Sequence, residues 1–125
     1  MSRILLDTQL VLWALSGDKR LPKKARALLD ESEVFVSAAS IWEIAVKSAL
    51  GKLEADAAEV RASLGPTGFA ELPVTGAHAE RVARLPAHHR DPFDRLLVAQ
   101  SACEPLVLLT ADAQLAKYGG LVWVL

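Results

Sequence analysis

This sequence has one cysteine, only short hydrophobic runs and almost no net charge. Each of these features argues against a class of protein. The single cysteine, Cys103, among 125 residues excludes an internal disulfide and a multi-cysteine zinc site, as is typical of a reducing, cytoplasmic setting. The apolar runs are only a few residues long, whereas a membrane-spanning helix needs roughly 20. The first residues lack the apolar region and cleavage site of a signal peptide. We therefore expect a cytoplasmic protein with no membrane segment.

The net charge is close to zero. Fourteen basic residues face 15 acidic ones, which gives a formal charge of −1 at pH 7. A protein that binds nucleic acid usually has a basic total, and this total gives no sign of such a partner. The total charge does not show whether the acids are concentrated in one place. The positions of the acids therefore decide whether a nucleic-acid partner is excluded.

The chain order predicts one α/β domain spanning residues 1–125, with no repeat or linker. Short leucine-rich or β-branched runs predict five strands buried on both faces, at residues 3–6, 34–36, 69–72, 106–109 and 121–124. Helical patterns separate the strands, at residues 22–29, 40–50, 54–64, 77–85 and 92–103. Gly51 and Gly65 stand where C-terminal helix glycines belong. The alternation predicts a three-layer α/β/α sandwich around a mostly parallel, five-stranded sheet.

Acidic residues fall where predicted strands end and helices begin. Asp7 follows the first strand, Asp91 and Asp94 begin the helix before the fourth strand, and Asp112 follows that strand. Glu43 lies near the start of the helix after the second strand. In an open parallel sheet, ligands bind in the crevice beyond the carboxyl ends of the strands. We therefore expect these five carboxylates to line one crevice.

Helix capping is the alternative explanation for each acid. Asp91 stands before a proline as an N-cap should, Ser40 and Glu43 have the spacing of a capping box, and Asp7 and Asp112 could cap their helices. Capping does not explain why so many acids meet at one sheet edge. A Ser, Thr or Asn would be just as good a cap, so capping alone does not require carboxylates at these positions. Crowded carboxylates repel one another unless a cation lies among them. Oxygen ligands favour a hard divalent ion, Mg²⁺ or Mn²⁺.

The residues present support one kind of chemistry better than others. Ions held by carboxylates can activate a water molecule and stabilise charge on a phosphate. A nucleophile elbow, a Walker loop and a dinucleotide-binding fingerprint are all absent from the sequence. The sequence therefore favours metal-assisted hydrolysis of a phosphodiester.

Four stretches of the chain resemble the PIN-domain ribonucleases of the VapC toxin type. They are residues 5–8 (Leu-Leu-Asp-Thr), 36–45, 91–100 and 109–112, and with their spacing they cover nearly the whole chain. The resemblance implies an α/β/α fold, Mg²⁺- or Mn²⁺-dependent endonucleolytic cleavage of RNA, and a homodimer. It also implies inhibition by a small cognate antitoxin of the VapB type.

Position by position, the resemblance implies metal-binding and catalytic roles for four acids: Asp7, Glu43, Asp94 and Asp112. Thr8 and Thr110 match hydroxyl positions that support the pocket. For Asp91 we expect an N-cap close to the pocket that touches the metal at most through water.

Basic and aromatic residues near these acids have less specific interpretations. Arg90 and Arg95 flank the acidic pair and are candidates for gripping a phosphate. Lys47 shares a helical arc with Glu43, opposite the apolar side chains, and pairing between the two is favoured over contact with RNA. The adjacent histidines at 88 and 89 are more typical of an exposed loop than of a metal site. The tryptophans, Trp13, Trp42 and Trp123, are typical of a core or an interface.

Two other functional classes share some of these features, and the first of them stays open. In a catalytically inactive partner-binding module, the acids would only cap helices. A receiver-like phosphoacceptor domain also gathers aspartates at strand ends, but it needs an acidic pair after the first strand and a lysine after the last, and the sequence has neither. Metal binding separates the nuclease from the inactive module.

Overall fold

The computed structural model describes residues 2–88 and 90–125, which form a five-stranded parallel sheet. The strands are β1 (Arg3–Leu6), β2 (Glu33–Ser37), β3 (Ala70–Leu72), β4 (Val107–Thr110) and β5 (Val122–Val124). Their spatial order is β3-β2-β1-β4-β5, and every pair is parallel. The helices are α1 (Thr8–Ser16), α2 (Lys23–Asp30), α3 (Ala38–Ala49), α4 (Ala57–Thr67), α5 (Gly76–Arg81) and α6 (Pro92–Cys103). The predicted α/β architecture is confirmed.

The core lies on both faces of the sheet, because successive side chains of a strand point to opposite sides. In β1, Ile4 and Leu6 pack into one apolar cluster with Leu10 of α1. Leu5, between them, packs into a second cluster with Leu97 of α6. All five side chains are buried. Burial on both faces is therefore confirmed for the central part of β1. It is wrong for the edge strands, because two of the three residues of β3 and two of the three residues of β5 are exposed.

The α3 helix begins two residues earlier than predicted. Ser37 is its N-cap, and the Ser37 hydroxyl accepts a hydrogen bond from the Ala39 N–H at 2.9 Å. The predicted capping box at Ser40 and Glu43 is therefore wrong, because both residues lie inside the helix. Gly51, just beyond the helix, has φ of 71°, as expected of a C-terminal glycine.

The α4 helix is shifted along the chain relative to its predicted bounds. It starts after Asp56, whose carboxylate accepts from the Ala58 N–H at 2.8 Å, and it continues through Gly65. Gly68, with φ of 87°, ends it. The prediction that Gly65 ends this helix is wrong, because only Gly68 adopts the left-handed conformation that closes a helix here.

The predicted helix at residues 77–85 ends in a 3₁₀ turn, and a second 3₁₀ segment follows Asp112. The α5 helix is followed by a 3₁₀ turn at Val82–Arg84. The last segment, Ala113–Leu121, is 3₁₀ with a break at Gly119, where φ is 69° and ψ is −136°. The turn after α5 is a short connection, for which 3₁₀ geometry is common, whereas long 3₁₀ runs are uncommon and the last segment is interrupted at Gly119.

The central strands bring several chain segments to one edge of the sheet. Leu6 of β1 is in register with Leu109 of β4, and the Asp7 N–H donates to the Leu109 carbonyl at 3.0 Å. On its other side β1 pairs with β2, which leads directly into α3. The residues that follow these three strands therefore face a common space. Within residues 2–88 and 90–125, no helix combines the length and hydrophobicity needed to span a bilayer.

Candidate metal site

A pocket of about 340 Å³ lies at this edge of the sheet and is lined by carboxylates. It contains all five of the acids expected in the crevice, Asp7, Glu43, Asp91, Asp94 and Asp112. They come from the end of β1, the second turn of α3, the start of α6 and the segment after β4. The parallel topology thus gathers side chains that are far apart in sequence, and this acidic pocket is the candidate site.

Asp7 is buried and directly follows the last residue of β1. It occupies the N-cap position of α1 but makes no side-chain capping bond, so the capping alternative is wrong for this residue. Its Oδ2 accepts a hydrogen bond from the Thr110 hydroxyl at 2.5 Å. Burial raises the pKa of Asp7 above its ordinary value of 3.8; bonds from Thr110 and the Thr8 main chain oppose this, while the charges of Glu43 and Asp112 add to it. A nearby cation would stabilise the ionised form of this buried carboxylate.

Glu43 is also buried and is held at both oxygens. Thr8 Oγ1 donates to Glu43 Oε1 at 2.7 Å, and Lys47 Nζ donates to Glu43 Oε2 at 2.5 Å. The Ser40 hydroxyl lies 2.8 Å from Thr8 Oγ1. Because Thr8 has one proton and gives it to Glu43, Ser40 is the donor in that second bond. The predicted pairing of Glu43 with Lys47 is confirmed.

Asp91 and Asp112 line the pocket and also cap the segments that follow them. Asp91 Oδ1 accepts from the Phe93 and Asp94 N–H groups at 2.9 and 3.2 Å, which confirms its expected role as an N-cap. Asp112 Oδ1 accepts from the Gln114 N–H at 2.9 Å. Capping and a place in the pocket are therefore compatible at these two positions.

Two threonines hold the acids in place. The Thr110 hydroxyl donates to Asp7 and accepts from the Asp112 N–H at 3.0 Å, so it connects the residues that follow β1 and β4. Thr8 holds Glu43 as described above. Sequence reasoning missed Ser40, the partner of Thr8. Its position three residues before Glu43 on one helix was the available signal, because residues at that spacing share a face.

The two candidate arginines are not among the residues that line the acidic pocket. Arg90 is exposed. The Arg95 guanidinium donates to the main-chain carbonyls of Val82 and Pro86 at 3.0 and 3.2 Å, so it ties the loop before α6 to that helix. His88 is exposed and meets the Tyr118 ring edge-on, whereas His89 lies outside the described residues.

The donor chemistry of the acidic pocket fits Mg²⁺ or Mn²⁺, which prefer carboxylate oxygens. In the part of the chain that the structure describes, no three His, Cys, Asp or Glu side chains are close enough to hold an ion as they stand. The five acids nevertheless line one pocket, and a cation there would offset the repulsion among them. Thr110 and Thr8 would continue to orient Asp7 and Glu43.

Comparison with known proteins identifies one family. Residues 4–121 match the sequence model of the PIN domain. No curated protein matches the chain.

Several solved structures share the fold. One chain of Rickettsia felis VapBC2, bound to a promoter DNA fragment, is 12% identical with a TM-score of 0.69, over 96% of this chain and 96% of that one. A toxin–antitoxin complex from Klebsiella pneumoniae gives 18% identity and a TM-score of 0.67, over 97% and 96% of the two chains. VapBC-5 of Mycobacterium tuberculosis is a member of the VapBC family of toxin–antitoxin systems. It is 23% identical with a TM-score of 0.60, over 100% of this chain and 98% of that one. At these identities the likeness shows the fold alone.

Proposed function

Because the chain belongs to the PIN-domain family, we propose that it is a metal-dependent endoribonuclease and acts as the toxin of a toxin–antitoxin pair. The observation that carries this proposal is the state of Asp7 and Glu43. Both are buried carboxylates that make no helix-capping bond. A capping role accounts for Asp91 and Asp112 but leaves Asp7 and Glu43 unexplained, and this argues against a catalytically inactive module.

In the proposed mechanism, Asp7, Glu43, Asp94 and Asp112 would hold Mg²⁺ or Mn²⁺ within the acidic pocket. The chemistry that such an ion would supply is Lewis acidity toward a water molecule and the scissile phosphate. Thr110 keeps the Asp7 carboxylate facing the pocket, and Thr8 does the same for Glu43. Asp91 fixes the first turn of α6, which carries Asp94.

The proposed reaction adds water across the phosphodiester. A bond forms between the water oxygen and phosphorus, the bond from phosphorus to O3′ breaks, and O3′ takes up a proton. The products are a 5′-phosphate and a 3′-hydroxyl. These ends distinguish the reaction from cleavage by the ribose 2′-hydroxyl, which leaves a cyclic phosphate.

A groove next to the acidic pocket supports the proposed antitoxin partner. It has a volume of about 390 Å³ and lies between α1 and the segment that leads into α4. Leu12 and Leu53 line both the groove and the acidic pocket. An amphipathic antitoxin segment could place apolar side chains in this groove and a basic side chain in the pocket. The Klebsiella pneumoniae structure with this fold is itself a toxin–antitoxin complex.

The homodimer is also part of the proposal. Trp42 is 59% exposed, and its ring meets that of Phe93 at 4.9 Å between centroids. These aromatic residues are the sequence neighbours of Glu43 and Asp94. A second copy of the chain that covered them would border the acidic pocket, where the RNA substrate is proposed to bind.

An RNA cleavage assay tests the proposed function. The purified protein should cut single-stranded RNA with Mg²⁺ and leave it intact in EDTA. Asp94→Asn should abolish cleavage because the amide keeps the shape and loses the charge. Asp30→Asn is the matched control, since Asp30 is exposed at the end of α2. Cleavage that persists in EDTA, or in a folded Asp94→Asn protein, would contradict the proposal.

A further inference from the structure

The acidic pocket contains a positive charge of its own. Lys47 lies one turn beyond Glu43 on α3, and its Nζ is 2.5 Å from Glu43 Oε2. The Glu43 side chain is only 7% exposed, whereas that of Lys47 is 43% exposed. The ammonium therefore stands at the mouth of the pocket and reaches inward to a buried carboxylate.

The charges around Lys47 are those of the acidic pocket. The hydrogen bond to Glu43 raises the pKa of Lys47, burial opposes the rise, and the charges of Glu43, Asp91 and Asp94 add to it. Among the described residues that line the pocket, five carry carboxylates and Lys47 carries the ammonium. Without a metal ion, Lys47 thus offsets part of the repulsion among the acids.

We propose that Lys47 is an internal counter-cation, a positioning residue that holds the Glu43 carboxylate through its ammonium in the metal-free protein and lowers the affinity of the pocket for divalent ions. The inference rests on the proposed function, because it assumes that the pocket binds a metal. An ion that coordinates Glu43 must share this carboxylate with the ammonium, and the two cations repel each other. The ammonium therefore reduces the repulsion in the metal-free pocket, and the pocket binds metal less tightly than its acids alone would.

A role in structure alone predicts the opposite effect. If Lys47 only braced α3, its loss would loosen Glu43 and weaken metal binding. If Lys47 competes with the metal, its loss strengthens metal binding. The sign of the change in affinity therefore separates the two roles, and it can be measured without RNA.

The test is a Mn²⁺ titration followed by electron paramagnetic resonance, in which the signal of free Mn²⁺ reports the unbound ion. Wild type is compared with Lys47→Met, with Lys47→Arg, which keeps the charge, and with Lys52→Met, which removes a charge from an exposed position just beyond the end of α3. We expect the Kd of Lys47→Met to fall on the order of tenfold, as repulsion from an ammonium a few ångströms away in a water-like dielectric predicts. Lys47→Arg and Lys52→Met should bind as wild type does.

The outcomes are distinguishable. Binding by folded Lys47→Met that is unchanged or weaker overturns the counter-cation role and leaves the metal site intact. Absence of Mn²⁺ binding by wild type overturns both this inference and the proposed function. If Lys47→Met does not fold, Lys47→Gln carries the same prediction, because it removes the charge and keeps a polar side chain.

Discussion

Substitutions of Asp91 distinguish helix capping from metal binding at this position. Its Oδ1 accepts from two main-chain N–H groups at the start of α6. Replacing an N-cap with alanine costs about 1 kcal/mol. For 125 residues the entropy of unfolding is about 0.26 kcal/mol/K, so Asp91→Ala should lower the melting temperature by about 4 °C. Asp91→Asn should stay close to wild type, since asparagine caps as well as aspartate does.

The same pair of variants reports on metal binding. Asp91→Asn should retain most of the Mn²⁺ affinity and RNA cleavage of wild type, whereas Asp94→Asn should lose both. Thermal melts in EDTA and calorimetric titrations with Mn²⁺ measure the two effects separately. If folded Asp91→Asn loses metal binding as completely as Asp94→Asn, Asp91 is a ligand and the reasoning from its capping bonds is refuted.

Further predictions concern stability, structure and the antitoxin. Asp7→Asn should raise the melting temperature of the metal-free protein at neutral pH, because burial raises the pKa of Asp7. Protonated Asp7 stabilises wild type below the ordinary pKa of 3.8, and this stability is lost as pH rises through the folded pKa. The melting temperatures of Asp7→Asn and wild type should therefore converge at about pH 3, and equal melting temperatures at neutral pH would contradict this prediction. Mg²⁺ should raise the melting temperature of wild type by mass action, and a folded Asp7→Asn protein that responds equally would count against the site. Arg95→Lys should lower stability by about 1 kcal/mol through lost bonds to carbonyls and leave Mn²⁺ affinity unchanged. Antitoxin affinity, at matched ionic strength, should fall when Mg²⁺ is added, since both compete for the acidic pocket; unchanged affinity would mean that inhibition does not involve the metal site.

The position of the acids could be predicted from the sequence because topology determines it. Asp7 follows β1 and Asp112 follows β4, and the carboxyl ends of parallel strands meet at one edge whatever the details of packing. Their gathering in one pocket is confirmed, while their roles toward a metal stay predictions. The hydroxyl positions, Thr8 and Thr110, followed from the family resemblance rather than from topology.

The placement of Arg95 was not anticipated, although a signal was present. Neighbouring residues on an α-helix point about 100° apart. If Asp94 faces the pocket, the side chain of Arg95 starts in a different direction, and here it reaches the carbonyls of Val82 and Pro86. Closeness in sequence to an acid was therefore a poor guide to the position of the guanidinium.

Helix starts were harder to predict because several residues compete as caps. Ser37 and Ser40 are both suitable, and the Ser40 pattern with Glu43 looks stronger in isolation. The sheet decides the outcome, because β2 pairs with β3 through Ser37 and the chain turns into α3 immediately afterwards. That pairing is a tertiary contact and has no local signature in the sequence.

Sequencing of RNA ends in cells that express the protein, beside cells that express Asp94→Asn, tests the central claim most directly. The account predicts new 5′-phosphate ends at defined positions with the wild-type protein and their absence with the variant, at equal protein levels. The same ends in both cultures, or no new ends with a folded wild-type protein, would contradict the assignment of the acidic pocket as a ribonuclease site.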